Sequence, residues 1–567
     1  MKLHGFMKIA AIITVSTLLF SLAACSNAKV KTGITTTAGG QEIQATNTQE
    51  IKKDPMAKYE TPIEVTVAFA SDPANTFLEG DSWENNSWTR GYEKELGIKT
   101  KVVWTADNKQ FDQKVNVCIA SDDVPDILRL NVDQTTNMKL FSLLMKSEII
   151  ADLTDIYEQY ATPLTKDIAM RDGGTNLSAI TLKDKLMAIP DCNSSIDGLP
   201  VLWVRTDWLT KLNLPEPKTM QDVLKISEAF TKNDPDANGK DDTFGLALQK
   251  DLMGGLAGLD GFFAAYHAYP STWLKDSSGN LVNGAIQPEV KTVLGVLQNM
   301  YKAGQIDREF GVKDGGKVAE SLTSGQIGME FGEMWNPLWP LNAGKEKNKD
   351  LDWRAYPIPS IDGEVATPAC KVGNVAIAVV SKKAKNPEAA IKMVNLFTDK
   401  LFSNHPNHEQ YGNREGIELH KPAIVQMWPS NKNLENYRAY QGAQATNDTS
   451  KFNPEQKLVY DTMLKFINNG DVSGWGYSRV FGKDSSFKII DQYVTNKSFI
   501  INKFHGAPTE TMSKKQSILD KMQLEVFTKI IMNTSPVDEF DKFVSNWKNM
   551  GGDQIVAEVN KWYSSTK

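Results

Sequence analysis

The sequence predicts an α/β fold in at least two domains, ending in a largely helical region. Three observations carry that expectation. Strand-like and helix-like segments alternate from Ile63 to Leu130, the pattern of helices covering a largely parallel sheet. The chain has 567 residues, more than one ordinary hydrophobic core accommodates. From Pro387 onward helical periodicity dominates, and Lys514 to Tyr563 reads as almost wholly helical.

The elements follow in order. Ile63 to Ala70 alternates and then runs apolar, as a buried strand does. A helix over Trp88 to Leu96 should stop at Gly97. Lys99 to Trp104 reads as a strand, Phe111 to Ala120 as a helix, and Asp126 to Leu130 as a strand entered through Pro125. Leu186 to Pro190 and Leu202 to Arg205 are further apolar runs, and a helix opens at Thr219. Pro288 to Ala303 is helical in pattern, while Ile327 to Phe331 and Val375 to Val380 are strand-like.

The N-terminus reads as a leader. Lys2 and Lys8 precede an apolar run from Ile9 to Leu22, too short for a span of about 20 apolar residues. The run ends in Leu22-Ala23-Ala24-Cys25, which resembles the bacterial lipobox. By that resemblance residues 1–24 are a signal peptide and Cys25 is the lipidation site. From Ser26 to about Glu60 the chain has almost no large apolar residues. Such a stretch buries too little to offset its chain entropy, so 25–60 is expected to be a disordered tether. No later segment is apolar enough to cross a bilayer, so the membrane is reached through the anchor alone.

Composition narrows the body's role. A formal charge of -6 argues against nucleic-acid binding, which needs clustered Lys and Arg. Cys118, Cys192 and Cys370 show no paired spacing, so buried free thiols are expected over a disulfide framework, though one bridge stays open. Thirteen tryptophans are many for this length, and indole faces suit large cores and sugar rings alike.

Asp234-Pro-Asp236-Ala-Asn238-Gly239-Lys240-Asp241-Asp242 holds the most specific local pattern. Oxygen ligands at alternate residues, with Gly sixth, let a short loop wrap a hard cation. Asp234, Asp236 and Asn238 would supply side-chain oxygens, Lys240 its carbonyl, and Asp242 the ninth position. The twelfth-position glutamate is missing, since that residue is Gly245, and a plain polar turn also uses these residues. The expectation is a structural Ca2+.

Four central segments together resemble the extracellular solute-binding proteins of family 1, which include maltose-binding and alginate-oligosaccharide-binding proteins. They are Cys118 to Ile127, Leu322 to Met329, Tyr356 to Gly363 and Asn386 to Asn395. Asp122 stands where that family's first segment usually has Gly. Gly506 to Thr509, Phe527 to Ile531, Phe540 to Phe543, Trp547-Lys548, Gly551 to Asp553 and Glu558 to Asn560 resemble a long lipoprotein subgroup of Bacillus-type and Paenibacillus-type bacteria. The resemblance implies a periplasmic-binding-protein-like pair of α/β lobes closing on a ligand by a hinge. It places 61–203 plus 331–377 in lobe 1 and 204–330 plus 378–567 in lobe 2. Crossings would fall near Val201 to Thr206, Met329 to Trp335 and Ala376 to Ser381. It further implies a monomer at the extracellular face of the membrane that hands an oligosaccharide to ABC-transporter permease subunits.

Trp335 is the first ligand candidate, because the maltose-binding type places a sugar-stacking Trp after the matching strand; a core role is equally open. Trp203, Arg205, Asp207 and Trp208 lie at the first expected crossing, where Arg205 could grip hydroxyls or serve as a structural ion pair. Trp83, Trp88, Trp273, Trp339 and Trp475 come second, most of them as packing residues. No Gly-x-Ser-x-Gly, His-Glu-x-x-His or phosphate-cradling loop is present. His405 and His408 read as surface residues. A two-carboxylate glycosidase and a ligand-sensing lipoprotein stay open as alternatives.

Overall fold

The computed structural model describes residues 54–565 except 74, 133, 193, 371–375, 415–416 and 507. The leader, Cys25 and most of the expected tether lie outside the described residues. Nine strands build two separate sheets: β1 (Ile63–Ala70), β2 (Ile98–Ala106), β3 (Ile127–Leu130), β4 (Ile189–Pro190), β5 (Val201–Arg205), β6 (Phe244–Leu246), β7 (Ile327–Gly332), β8 (Trp353–Tyr356) and β9 (Ile377–Val380). The first sheet runs β2-β1-β3-β9-β4 and the second β8-β5-β7-β6.

Local sequence sets these elements as expected. Asn86 caps the helix Ser87–Gly91 through a capping box, and the chain continues through a π-helical turn, Tyr92–Leu96. Gly97 ends it at φ 70°, where a Cβ would stand 2.8 Å from the Tyr59 carbonyl oxygen, so only glycine fits. Thr219 and Asp222 form the capping box that opens the helix Met220–Lys232. Pro288 occupies the first turn of the helix Pro288–Lys302.

The sheets are less parallel than the sequence suggests. β1 pairs in parallel with β2 and β3, but β9 enters antiparallel between β3 and β4. In the second sheet only β7 and β6 are parallel, while β5 runs antiparallel to β7 and β8. β5 is apolar at each of its first four positions because both of its faces are covered. Leu202 and Val204 join one core, Val201 and Trp203 the other.

These pairings correct the expected lobe division. β8 lies in the expected lobe 1 stretch 331–377, yet Trp353 pairs with Arg205 of the second sheet. β9 and the helix Glu388–Phe402, expected in lobe 2, belong to the first core together with Ala423 to Met427. The chain therefore changes core between Cys192 and Leu199, between Cys370 and Ile377, and between Met427 and Leu434. The crossing expected at Met329 to Trp335 does not occur, since β7 hydrogen-bonds β5 and its successors stay with the second body.

Asp191 stitches the crossing segments together. Its N–H donates to the Ala376 carbonyl at 3.1 Å, its carboxylate accepts from Ala376 N–H at 3.0 Å, and its carbonyl accepts from Trp428 N–H at 2.7 Å. Cys118, Cys192 and Cys370 are buried free thiols. Among the described residues no helix is long and apolar enough to cross a membrane.

Candidate functional site

The C-terminal ends of β1 and β3 face the crossing segments. Ala70 ends β1, and Asn131 just beyond β3 locks to it, its amide accepting from Ala70 N–H and donating to Ala70 O, both at 2.8 Å. Between this edge and the crossings lies a cavity of about 550 Å³. In open α/β sheets ligands sit at the carboxyl ends of strands.

Two half-buried indoles line this cavity, Trp83 and Trp428. Trp83 is held by Phe69 and Phe77, with centroids at 5.2 and 5.3 Å. Trp428 sits edge-on to Phe397, Phe402 and His420, and the Lys432 ammonium lies 5.2 Å from its ring centre. Each is braced from behind with part of its surface left accessible, which suits the apolar C–H face of a sugar ring.

The polar lining is strongly coupled. Lys432 pairs with Glu455 at 2.8 Å and Lys421 with Glu418 at 2.6 Å. Arg129 donates to the carbonyls of Ala423 at 2.9 Å and Lys421 at 3.4 Å. Asn433 donates to Asp197 Oδ2 at 2.7 Å, while the buried Asp197 Oδ1 has no hydrogen-bond partner. Burial pushes the Asp197 carboxyl up to about 6 and His420 down to about 4, and lowers His408 as well. Burial works to raise Glu455 too, but the Lys432 ammonium holds it below the ordinary range.

Ser194 lines a second cavity of about 260 Å³, on the side of the second sheet, with Gly254, Gly255, Asp260 and Glu333. Ser271 and Thr272 are shared between this cavity and a third of about 390 Å³, bordered by Trp273, Asp520 and Phe527. The second cavity thus shares lining with both of the others. Behind the Lys432–Glu455 pair lies another cavity of about 680 Å³, which shares Leu401, His408, Pro429, Lys432 and Glu455 with the first.

Of the residues singled out in the sequence, Trp83 lines the first cavity and Trp273 borders the third, although Trp273 is itself mostly buried against Phe504. Trp335 is half-buried, and its N–H donates to Glu333 Oε2 at 2.7 Å, which ties it to the rim of the second cavity. The turn is held from within. Asn336 donates to the buried Glu330 Oε1 at 2.9 Å, and a Cβ at Gly332 would stand 2.1 Å from the Asn336 amide nitrogen.

The group around the first expected crossing belongs to the core instead. Trp203 is fully buried, with its N–H on the Glu333 carbonyl at 3.2 Å. Arg205 is buried and grips Asp207 through two hydrogen bonds of 2.8 and 2.5 Å, its guanidinium 4.3 Å from the ring centre of the buried Trp208. Trp88 and Trp475 are fully buried, and Trp475 donates to Asp352 Oδ1 at 3.1 Å. For Trp203 and Arg205 the reason is topological: β5 is an inner strand covered on both faces, so its side chains have no path to the groove. His408, expected at the surface, is buried and lines the first cavity.

In the Asp234 to Asp242 loop the acidic side chains converge on Asn238. Its amide nitrogen donates to Asp236 at 2.8 Å and Asp242 at 3.0 Å, while Asp234 accepts from the N–H groups of Asn238 and Gly239 at 3.0 Å. Partial burial and the neighbouring Asp234 raise the Asp236 carboxyl. Among the described residues no group of three or more His, Cys, Asp or Glu side chains is drawn together tightly enough to hold a metal.

Residues 74–400 match the family model described as bacterial extracellular solute-binding protein. The polygalacturonan/rhamnogalacturonan-binding protein YtcQ of Bacillus subtilis is 23% identical over 84% of this chain and 87% of its own length. The Streptococcus pneumoniae substrate-binding protein FusA, solved with kestose, superposes with a TM-score of 0.61 at 17% identity, over 89% of this chain and 99% of that one. The alginate-binding protein AlgQ2, solved without calcium ion, gives 0.56 at 18% identity, over 90% and 100%. With a two-sheet fold, a groove at the strand ends and a family match across more than half its length, this chain belongs to the bacterial extracellular solute-binding proteins.

Proposed function

We propose that the protein captures an oligosaccharide in the groove between its two bodies and presents it to the permease subunits of an ABC importer. The observation that carries this reading is the pairing of half-exposed Trp83 and Trp428 with hydroxyl-binding carboxylates and amides in one cavity. A sugar offers an apolar ring face and a rim of hydroxyls, and a site needs both kinds of partner to hold it. YtcQ and FusA are relatives whose names record carbohydrate ligands, which supports the same cargo class here. The protein returns its ligand intact rather than cleaving it.

Lipidation of Cys25 keeps the body at the extracellular face of the membrane, as the Leu-Ala-Ala-Cys run suggests. The Asp234 to Asp242 loop is proposed to take Ca2+ in a structural role. Its support is the alternation of oxygen donors and the convergence of Asp236 and Asp242 on one amide nitrogen, where a cation would satisfy both carboxylates.

A thermal-shift panel of the intact protein against plant and bacterial oligosaccharides tests the function. A ligand at a hundredfold excess over its Kd stabilises the native state by about 2.7 kcal/mol. A panel in which no oligosaccharide moves the transition would contradict the reading.

A further inference from the structure

We propose that Arg129 sets the specificity of the groove by gripping two adjacent oxygens of one sugar residue, either vicinal ring hydroxyls or the carboxylate of a uronic acid; this rests on the oligosaccharide reading above. Strand β3 reads Ile127-Leu-Arg-Leu130, a lone cation in an apolar inner strand between β1 and β9. An arginine at such a place carries a desolvation cost that another leucine would not. Among the described residues no carboxylate forms an ion pair with it, and Asp191 supports its charge only through space. Both of its hydrogen bonds leave from Nη1, to the Ala423 carbonyl at 2.9 Å and the Lys421 carbonyl at 3.4 Å. Nε and Nη2 hydrogen-bond no described residue and are not sealed from solvent, on a half-buried side chain that lines the first cavity.

The guanidinium is tied to the mounts of both indoles. Phe69, its register partner on β1, braces Trp83 at 5.2 Å, and the carbonyls it holds belong to the segment that runs into Trp428. Asn131, two residues along the chain, commits its amide to Ala70, so the donors left over at this strand end are those of Arg129. The edge formed by Nε–H and Nη2–H is a planar fork that matches two oxygens side by side. A sugar ring stacked on an indole presents equatorial hydroxyls near the ring plane and an axial one away from it. The fork therefore meets one stereochemistry and misses its epimer, and a uronate offers both carboxylate oxygens in one plane. A ligand that misses leaves a desolvated donor unpaired, which separates sugars of equal size.

The test is calorimetry on the intact protein with cellotriose, mannotriose, xylotriose, kestose and trigalacturonic acid. Cellotriose and mannotriose differ only in the orientation of one hydroxyl per residue. In the wild type the tightest and weakest ligands should differ by at least about tenfold. Arg129→Lys and Arg129→Gln can each still donate to the Ala423 carbonyl but have no fork. Both should bring the tightest ligand to within about threefold of the weakest. Trigalacturonic acid as the tightest ligand, weakened by salt, assigns the fork to a carboxylate; a neutral trisaccharide indifferent to salt assigns it to hydroxyls. An Arg129 that only pins the crossing segment gives a different pattern: a lower Tm and all ligands weakened alike, with the tightest-to-weakest ratio kept. That pattern, or a wild type that binds them all alike, overturns the inference and leaves the oligosaccharide reading intact. Binding by no sugar at all removes that reading, and this inference with it.

Discussion

Trp335 lies stacked on Trp339, with ring centroids 6.0 Å apart and 27° between the planes. The pair forms an aromatic shelf: Trp339 is 52% exposed, and Trp335 is braced through Glu333. A shelf that is accessible without ligand is a suitable platform for a sugar ring. Trp335→Ala is expected to weaken oligosaccharide binding by at least about tenfold, with a smaller effect on the ligand-free Tm. A large fall in Tm with affinity intact would place Trp335 in the core.

Glu330 gives the protein a pH signature. Burial pushes its carboxyl up to about 7 from 4.5, against the Asn336 amide and the Ala257 N–H, which favour the charged form. A carboxyl whose folded pKa is raised supports the native state fully below its unfolded pKa, and that support is lost as pH rises through the folded value. Between about pH 5 and pH 8 stability should therefore fall by an amount approaching roughly 3 kcal/mol. Glu330→Gln keeps an oxygen for Asn336 and should flatten the slope. Urea unfolding at the two pH values reads the difference; an unchanged slope in the variant would assign it to other groups.

For the Asp234 to Asp242 loop, chelation should lower Tm and added Ca2+ should restore it. Asp236→Ala should abolish both responses. Should the wild-type melting curve ignore the chelator, with no calcium found by metal analysis, the loop is a polar turn held by Asn238.

Cys25→Ser should release the protein from membranes into the medium. Retention of the variant in the membrane fraction would contradict the anchor.

The sequence marked the elements well wherever local chemistry decides them. Gly97 as a stop, Thr219 as a cap and the apolar runs at β1 and β7 all depend on neighbours a few residues away. It failed where distant pairing decides. Nothing local distinguishes β8 as a partner of β5 rather than a member of the first sheet, so residues 331–377 went to the wrong body. For the same reason Trp203 and Arg205 looked like groove residues: strand β5 lies beside a crossing in sequence, yet both of its faces are covered in space, and Trp208 in the helix that follows is buried beneath the Arg205 guanidinium. Trp428 and Asp197 were missed because they lie within the crossings at 427–434 and 192–199, whose place only the distant strand pairing decides. The only local hint at Trp428 was Trp428-Pro429, closing the apolar run that starts at Ala423.

Calorimetric titration of a neutral oligosaccharide that binds the wild-type protein, repeated on Trp428→Ala, tests most directly whether the groove at the strand ends holds the ligand. Trp428 is half-buried in the first cavity and is braced by Phe397, Phe402 and His420. The expected result is one site per chain in the wild type and an affinity lower by roughly thirtyfold in the variant, the cost of losing about 2 kcal/mol of anchoring contact. Equal affinity in a folded Trp428→Ala protein would contradict it.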